Sequence, residues 1–127
     1  MNSGPAVSEG FSRDDRLRKR REFEECYASG VRVSGRHLQV FLLAATGPAA
    51  RMRLGVSVPR RVGHAVARNR VRRRLREIFR RNRPLFGTAK VSVVVNARPS
   101  AARAPFGELT EDYASAVARA LPRLKRP

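Results

Sequence analysis

The chain predicts an α+β fold, a single-domain two-layer α/β sandwich with elements in the order helix, three strands, helix, strand, helix. Its 127 residues suit one domain with a modest core. Helical and alternating hydrophobic patterns succeed each other along the chain. The hydrophobic fraction of 42% excludes full disorder. We expect a flexible tail over residues 1–12, the folded domain over 13–121 and a basic C-terminal tail over 122–127.

The first helix is predicted from its charges and its aromatic spacing. Asp14 and Asp15 are expected to open it, because acidic residues suit the positive end of a helix dipole. The helix is expected to end near Gly30. Phe23 and Tyr27 are four residues apart, so they share one helix face.

Three strands are predicted next, from alternating residues. Residues 37–43 place His37, Gln39 and Phe41 on one side and three aliphatic residues on the other. Residues 53–58 alternate in the same way. The sheet should therefore have one apolar face and one mostly polar face that holds Phe41.

Two further helices and a fourth strand complete the prediction. A basic helix is expected from about His64 to Asn82, with its apolar residues at helical spacing. Valine-rich residues 89–97 predict a buried strand. The last helix is expected to begin near Thr110. The apolar residues of the basic helix are Val71, Leu75, Ile78 and Phe79.

The net charge of +18 is the strongest sign of function, since 28 basic residues face 10 acidic ones. A compact chain with this charge repels itself unless a polyanion accompanies it, which predicts a nucleic-acid partner. Nearly all the basic residues are arginines, which suit phosphate; a GC-rich genome would also favour them. No apolar stretch is long enough for a membrane span, and no secretory signal is recognisable. One cysteine excludes an internal disulfide, so we expect a reducing cytoplasm.

The basic helix carries nine arginines and one acid, Glu77, over residues 68–83. Like charges four residues apart destabilise an isolated helix, as for Arg72 and Arg76. A solvated helix face is the usual explanation of a charge run, but such faces mix both signs. We therefore interpret this helix as a phosphate-binding surface.

No catalytic residues are expected in this chain. Protein catalysis needs paired carboxylates, a positioned histidine or an activated nucleophile. His37 and His64 have no partner motif, and we expect them at the surface or against RNA. Cys26 is expected to be a packed thiol.

The order of residues around the basic helix adds a family resemblance. A basic pair, a Val-Gly, an Ala-Val and an Arg-Asn-Arg precede the arginine-rich turns between Arg60 and Arg80. This order resembles the signature of the protein subunit of bacterial ribonuclease P. Residues 16–27 resemble that family's opening helix, and residues 53–58 its strand before the basic turn. The resemblance covers about residues 16–121.

The resemblance implies a ribonucleoprotein enzyme that removes the 5′ leader from precursor tRNA. In that family the RNA subunit catalyses hydrolysis with magnesium, which it mainly holds itself; the protein binds that RNA and the leader. The protein raises substrate affinity and lowers the magnesium requirement. The implied partners are the catalytic RNA and the leader, without a membrane or an obligate protein partner. The implied fold includes a left-handed strand–helix–strand crossover, against the general right-handed rule.

The resemblance also assigns roles to residues of this chain. It implies a leader-binding cleft lined by Phe23, Tyr27 and Phe41, where a base of any sequence can stack. These rings could instead be core; we expect this less for Phe41 than for Phe23, because its strand neighbours are polar. The residues implied to bind the catalytic RNA are Arg60, Arg61, Arg68, Asn69, Arg70, Arg72, Arg73 and Arg76.

Two other classes of protein fit the charge. A basic structural ribosomal protein would share the size and the arginine-rich helix. A DNA-binding protein would usually mix base-reading side chains with phosphate contacts, whereas here Asn69 stands among arginines.

Overall fold

The computed structural model describes residues 13–124, and these form three helices and a four-stranded sheet in the predicted order. Both the predicted N-terminal tail and residues 125–127 lie outside the described residues. None of the helices in residues 13–124 is long and apolar enough to cross a bilayer. The elements are α1 (Arg20–Ser29), β1 (Val31–Ser34), β2 (Leu38–Ala44), β3 (Arg53–Ser57), α2 (Ala65–Arg81), β4 (Val91–Ala97) and α3 (Phe106–Ala120).

The sheet is mixed, with the strand order β1-β2-β4-β3. β2 pairs antiparallel with both β1 and β4, whereas β3 pairs parallel with β4. Parallel neighbours need a crossover connection, and α2 supplies it between β3 and β4. The left-handed sense of this crossover stays an expectation of the family resemblance.

The main core lies between one face of the sheet and the helices α2 and α3. Leu38, Val40 and Leu42 of β2 belong to this core, as the alternation predicted. The apolar stripe predicted on the basic helix is buried as well, from Val71 to Phe79. These contacts form the predicted two-layer sandwich and leave the arginines of α2 on its outer side.

Helix α1 covers part of the opposite face of the sheet. There Leu17, Cys26, Phe41 and Val94 form a second, smaller apolar cluster. The ring of Phe23 packs directly over Gly55 of β3: a Cβ at this glycine would lie 2.6 Å from Phe23 Cζ. Glycine is therefore needed for α1 to approach the sheet, and α1 adds a third, partial layer to the sandwich.

The first helix begins later than the sequence suggested. Asp14 and Asp15 lie in a short 3₁₀ turn, and α1 starts at Arg20. Asp15 is buried and accepts hydrogen bonds from Arg51 Nη2 at 2.8 Å and from Arg83 Nη2 at 2.9 Å. The prediction that Asp15 opens a helix was wrong, because arginines that are distant in the sequence bind its carboxylate.

The last helix begins earlier than predicted, at Phe106 instead of Thr110. The Thr110 hydroxyl donates to the Phe106 carbonyl oxygen at 3.0 Å, which is a bond inside a helix and not a cap. Asp112 therefore lies in the second turn, where its carboxylate accepts hydrogen bonds from three backbone N–H groups of the β1–β2 loop and the start of β2. The donors are Arg36 at 2.9 Å, His37 at 2.9 Å and Leu38 at 3.0 Å.

His37 is buried, contrary to the expectation of a surface histidine. Its Nδ1 lies 2.7 Å from Ser100 Oγ, and its Nε2 lies 2.6 Å from Glu108 Oε1. These bonds attach the β1–β2 loop to α3 and to the turn after β4. A strand pattern alone could not show them, because both partners are more than 60 residues away in sequence.

Replacing Asp112 by alanine should destabilise the fold by about 2–3 kcal/mol, since three backbone N–H groups lose their acceptor. Denaturant unfolding measures this loss. The neighbouring Glu111 is exposed, so Glu111→Ala is the control and should stay within about 0.5 kcal/mol of the parent. Equal effects of the two substitutions would contradict this role of Asp112.

Candidate nucleic-acid interface

The outer side of α2 presents an arginine surface to solvent. Arg70 and Arg73 are exposed, and neither has a carboxylate partner among residues 13–124. Arg72 Nη1 donates to Asn69 Oδ1 at 2.7 Å, and the amide N–H groups of Asn69 can donate to another acceptor. Guanidinium and amide donors on one surface suit phosphate oxygens.

Other arginines of α2 serve the fold. Arg68 Nε donates to the Gly63 carbonyl oxygen at 3.1 Å, and Arg74 Nη1 donates to the Ala104 carbonyl oxygen at 3.1 Å. Arg68, which the resemblance assigns to RNA binding, thus also stabilises the turn before α2. Gly63 has a φ of 153°, a conformation that favours glycine at this turn.

Glu77, the acidic residue of α2, pairs with arginines of its own helix. Glu77 accepts hydrogen bonds from Arg80 Nη2 and Arg81 Nε, each at 2.6 Å. These bonds lower the pKa of Glu77 to about 2, so the carboxylate stays charged well below neutral pH. Glu77 therefore offsets the charge of the last turn of α2 and leaves the turns around Arg70 and Arg73 uncompensated.

Arg76 lies close to two further arginines, Arg16 and Arg72. Partial burial lowers the pKa of Arg76, and the positive charges of Arg16 and Arg72 lower it further. Arg16 lies close to Arg76 because the backbone of Arg16 forms a parallel bridge with Leu54 of β3. A concentration of like charge destabilises the protein alone and favours an anion. Sequence reasoning missed Arg16 at this site, since the pairing with Leu54 is long-range.

The three rings that the resemblance assigns to an aromatic cleft lie together between α1 and the sheet. The Tyr27 and Phe41 ring centroids are 4.8 Å apart with the rings edge to face, and the Phe23 and Tyr27 centroids are 6.5 Å apart. Tyr27 is 40% exposed, whereas Phe41 is 5% exposed. The expectation that Phe41 is less of a core residue than Phe23 was wrong, because Tyr27 and the α1 layer cover it. Tyr27 is the most exposed of the three rings.

A polar groove continues from the cleft across one end of the sheet. Gln39, Asn96 and Ser57 are aligned by the strand register on the face that carries Phe41, and they line this groove. Tyr27 Oη donates to Asn96 Oδ1 at 3.0 Å and so joins the groove to the cleft. Sequence reasoning missed Asn96, because only the register shows that β4 brings it between the other two.

Arginines flank this groove at the turn before α2. Arg60 and Arg61 belong to a 3₁₀ turn after β3, and both are exposed. Arg61 and Arg98 line the same groove. This turn connects the polar groove to the arginine surface of α2.

Two further residues could carry chemistry, Cys26 and His64. Cys26 is buried, and burial raises the pKa of its thiol to about 11, as expected of a packed thiol. His64 is exposed immediately before α2. Within residues 13–124 no group of three or more His, Cys, Asp or Glu side chains is placed to hold a metal ion.

The fold and the site define a small basic α+β protein with a surface suited to polyanions. A family model described as Ribonuclease P matches residues 11–121, which is most of the chain. The chain belongs to the ribonuclease P protein family.

Individual relatives agree with this assignment. The chain is 41% identical over 111 residues to the ribonuclease P protein component of Desulfovibrio desulfuricans, covering 87% of this chain and 81% of that one. It is 42% identical to the component of Kocuria rhizophila, covering 85% and 93%.

Solved structures of the family share the fold. The RNase P protein from Thermotoga maritima superposes with a TM-score of 0.71 at 30% identity, covering 82% of this chain and 96% of that one. The RNase P protein of Staphylococcus aureus gives a TM-score of 0.74 at 25% identity, covering 84% and 94%.

Proposed function

We propose that this chain is the protein component of a ribonuclease P ribonucleoprotein that removes the 5′ leader from precursor tRNA. The membership of the family supports the proposal. The observation that carries it is the arginine surface of α2, where Arg70 and Arg73 are exposed and have no carboxylate partner among residues 13–124. A structural ribosomal protein would share the charge, but the family match does not favour it.

The arginine surface would bind the catalytic RNA. Exposed guanidinium groups on α2 and on the turn at Arg60 and Arg61 can each contact a phosphate. Bringing a net charge of +18 among phosphates replaces some of the cations that RNA needs to fold. This replacement accounts for a lower magnesium requirement in the presence of the protein.

The aromatic cleft would bind the single-stranded leader. Tyr27 offers a ring for stacking, Phe23 and Phe41 support it from below, and the polar groove continues the surface. Stacking tolerates any base, which suits leaders that differ between tRNAs. The chain would place the substrate while the RNA subunit holds magnesium and performs hydrolysis, in the bacterial cytoplasm.

Cleavage of a precursor tRNA by a bacterial ribonuclease P RNA tests this function. At a magnesium concentration where the RNA alone is inactive, adding the protein should restore 5′ cleavage. The Arg70→Ala/Arg73→Ala variant should restore much less. Absence of restored cleavage with the cognate RNA, although the protein binds that RNA, would contradict the proposal.

A further inference from the structure

Three arginines surround β1, at the edge of the sheet opposite α2. The strand order places β1 at one edge and β3, which contacts α2, at the other. Arg32 of β1 and Arg123, which follows α3, line one cavity of about 440 Å³. Arg119 of α3 reaches the same edge, where its Nη2 lies 3.5 Å from the Ser34 carbonyl oxygen. We name Arg32, Arg119 and Arg123 the β1-edge arginines.

The β1-edge arginines are exposed, and none of them has a carboxylate partner among the described residues. Charged side chains on an edge strand also protect it against pairing with other chains, which would explain Arg32. Edge protection does not explain Arg123, which comes from a different element and lines the same cavity as Arg32. The group has the chemistry of a phosphate-binding surface.

The polar groove leads from the aromatic cleft to these arginines. Ser57, Asn96, Gln39 and Ser34 lie opposite one another on the four neighbouring strands. Gln39 Nε2 donates to Ser34 Oγ at 3.2 Å, so the row of polar side chains continues onto β1. Three strand spacings of about 4.8 Å make this row roughly 14 Å long.

Arg32 faces the same side of the sheet as the cleft. It lies opposite Phe41 in the antiparallel register, and directly opposite residues share a face. Phe41 packs beneath Tyr27. A strand of RNA that stacks on Tyr27 and follows the row away from α2 therefore arrives at Arg32.

We propose that the β1-edge arginines bind phosphates of leader nucleotides farther from the cleavage site than those in the aromatic cleft. This inference rests on the proposed function, in which α2 meets the catalytic RNA. Because that RNA performs the hydrolysis, we place the nucleotides beside the cleavage site nearest to α2. The distant nucleotides then cross the sheet towards β1. Phosphate contacts carry no sequence information, so the site would serve leaders of any sequence.

Leader length provides the test. The complete ribonucleoprotein is assembled, and its affinity is measured for precursor tRNAs with leaders of about four and about sixteen nucleotides. These lengths span the range of single-stranded nucleotides that one OB-fold domain binds. Arg32→Ala/Arg123→Ala should weaken binding of the long leader about tenfold. The slope of log affinity against log salt concentration should fall by about 1.4, or about 0.7 for each phosphate contact on a single strand. The short leader should keep its affinity. Arg119 is retained because it contacts Ser34.

Two further variants control for charge and folding. Lys90→Ala/Arg103→Ala removes the same charge from exposed positions elsewhere and should show no dependence on leader length. Arg32→Lys/Arg123→Lys keeps the charge and should retain binding of the long leader.

Each contrary result has a distinct meaning. An equal loss for both leaders, or no loss for either, would overturn the inference while the proposed function stands. Loss of long-leader binding in the lysine variant would also overturn it, because the charge is still present. Equal binding of precursor and mature tRNA by the unmodified ribonucleoprotein would overturn this inference together with the proposed leader binding in the aromatic cleft, whereas the proposed function itself is tested by the cleavage assay.

Discussion

Replacing Arg70 and Arg73 together by alanine is expected to weaken binding to the catalytic RNA by about a hundredfold, or about tenfold for each charge-assisted contact. Both side chains are exposed on α2 and lack a carboxylate partner among the described residues, so neither contributes an ion pair to the fold. The slope of log affinity against log salt should fall by about one unit for each residue, since each would neutralise one phosphate. Titration of the RNA at several salt concentrations measures both effects.

Arg74 provides the matched control for this experiment. It lies on the same helix and carries the same charge, but its Nη1 donates to the Ala104 carbonyl oxygen. Arg74→Ala should therefore reduce the free energy of unfolding, by about 1–3 kcal/mol, while changing the salt slope little. An equal change of slope in Arg74→Ala would mean that the helix acts through its total charge and not through the surface at Arg70 and Arg73.

The sequence predicts α2 well because its signals are local. Val71, Leu75, Ile78 and Phe79 repeat at helical spacing, and all are buried. The division of its arginines into a binding surface and structural contacts was not predictable. Arg68 and Arg74 bind backbone carbonyl oxygens of Gly63 and Ala104, whose positions depend on how a turn and a distant loop fold against the helix.

The aromatic cleft shows the same limit. The spacing of Phe23 and Tyr27 on one face of α1 is local, and the structure places their rings side by side. The burial of Phe41 is not local, because the strand pattern gives its face but not the helix that covers that face. Asn96 enters the site through pairing between β2 and β4, which no spacing in the sequence reveals.

Replacing Tyr27 by alanine is expected to weaken binding of precursor tRNA by about five- to 150-fold, which corresponds to the 1–3 kcal/mol of a base stacked on a ring. Mature tRNA, which has no leader, should bind as before. Tyr27 is the best position for this test because its ring is 40% exposed, whereas Phe23 packs on Gly55 and its loss would leave a cavity. The double variant Phe23→Ala/Tyr27→Ala should show the same preference with a larger loss of stability.

Two controls separate stacking from packing. Tyr27→Phe keeps the ring and loses the hydrogen bond to Asn96, so it should retain most of the affinity for precursor tRNA. Leu85 is exposed to the same extent as Tyr27 but lies outside the cleft, and Leu85→Ala should affect neither tRNA. Binding of both tRNAs to the assembled ribonucleoprotein measures the difference. An equal loss for precursor and mature tRNA in Tyr27→Ala would show that the ring supports the fold or the catalytic RNA, and the leader would then have to bind elsewhere.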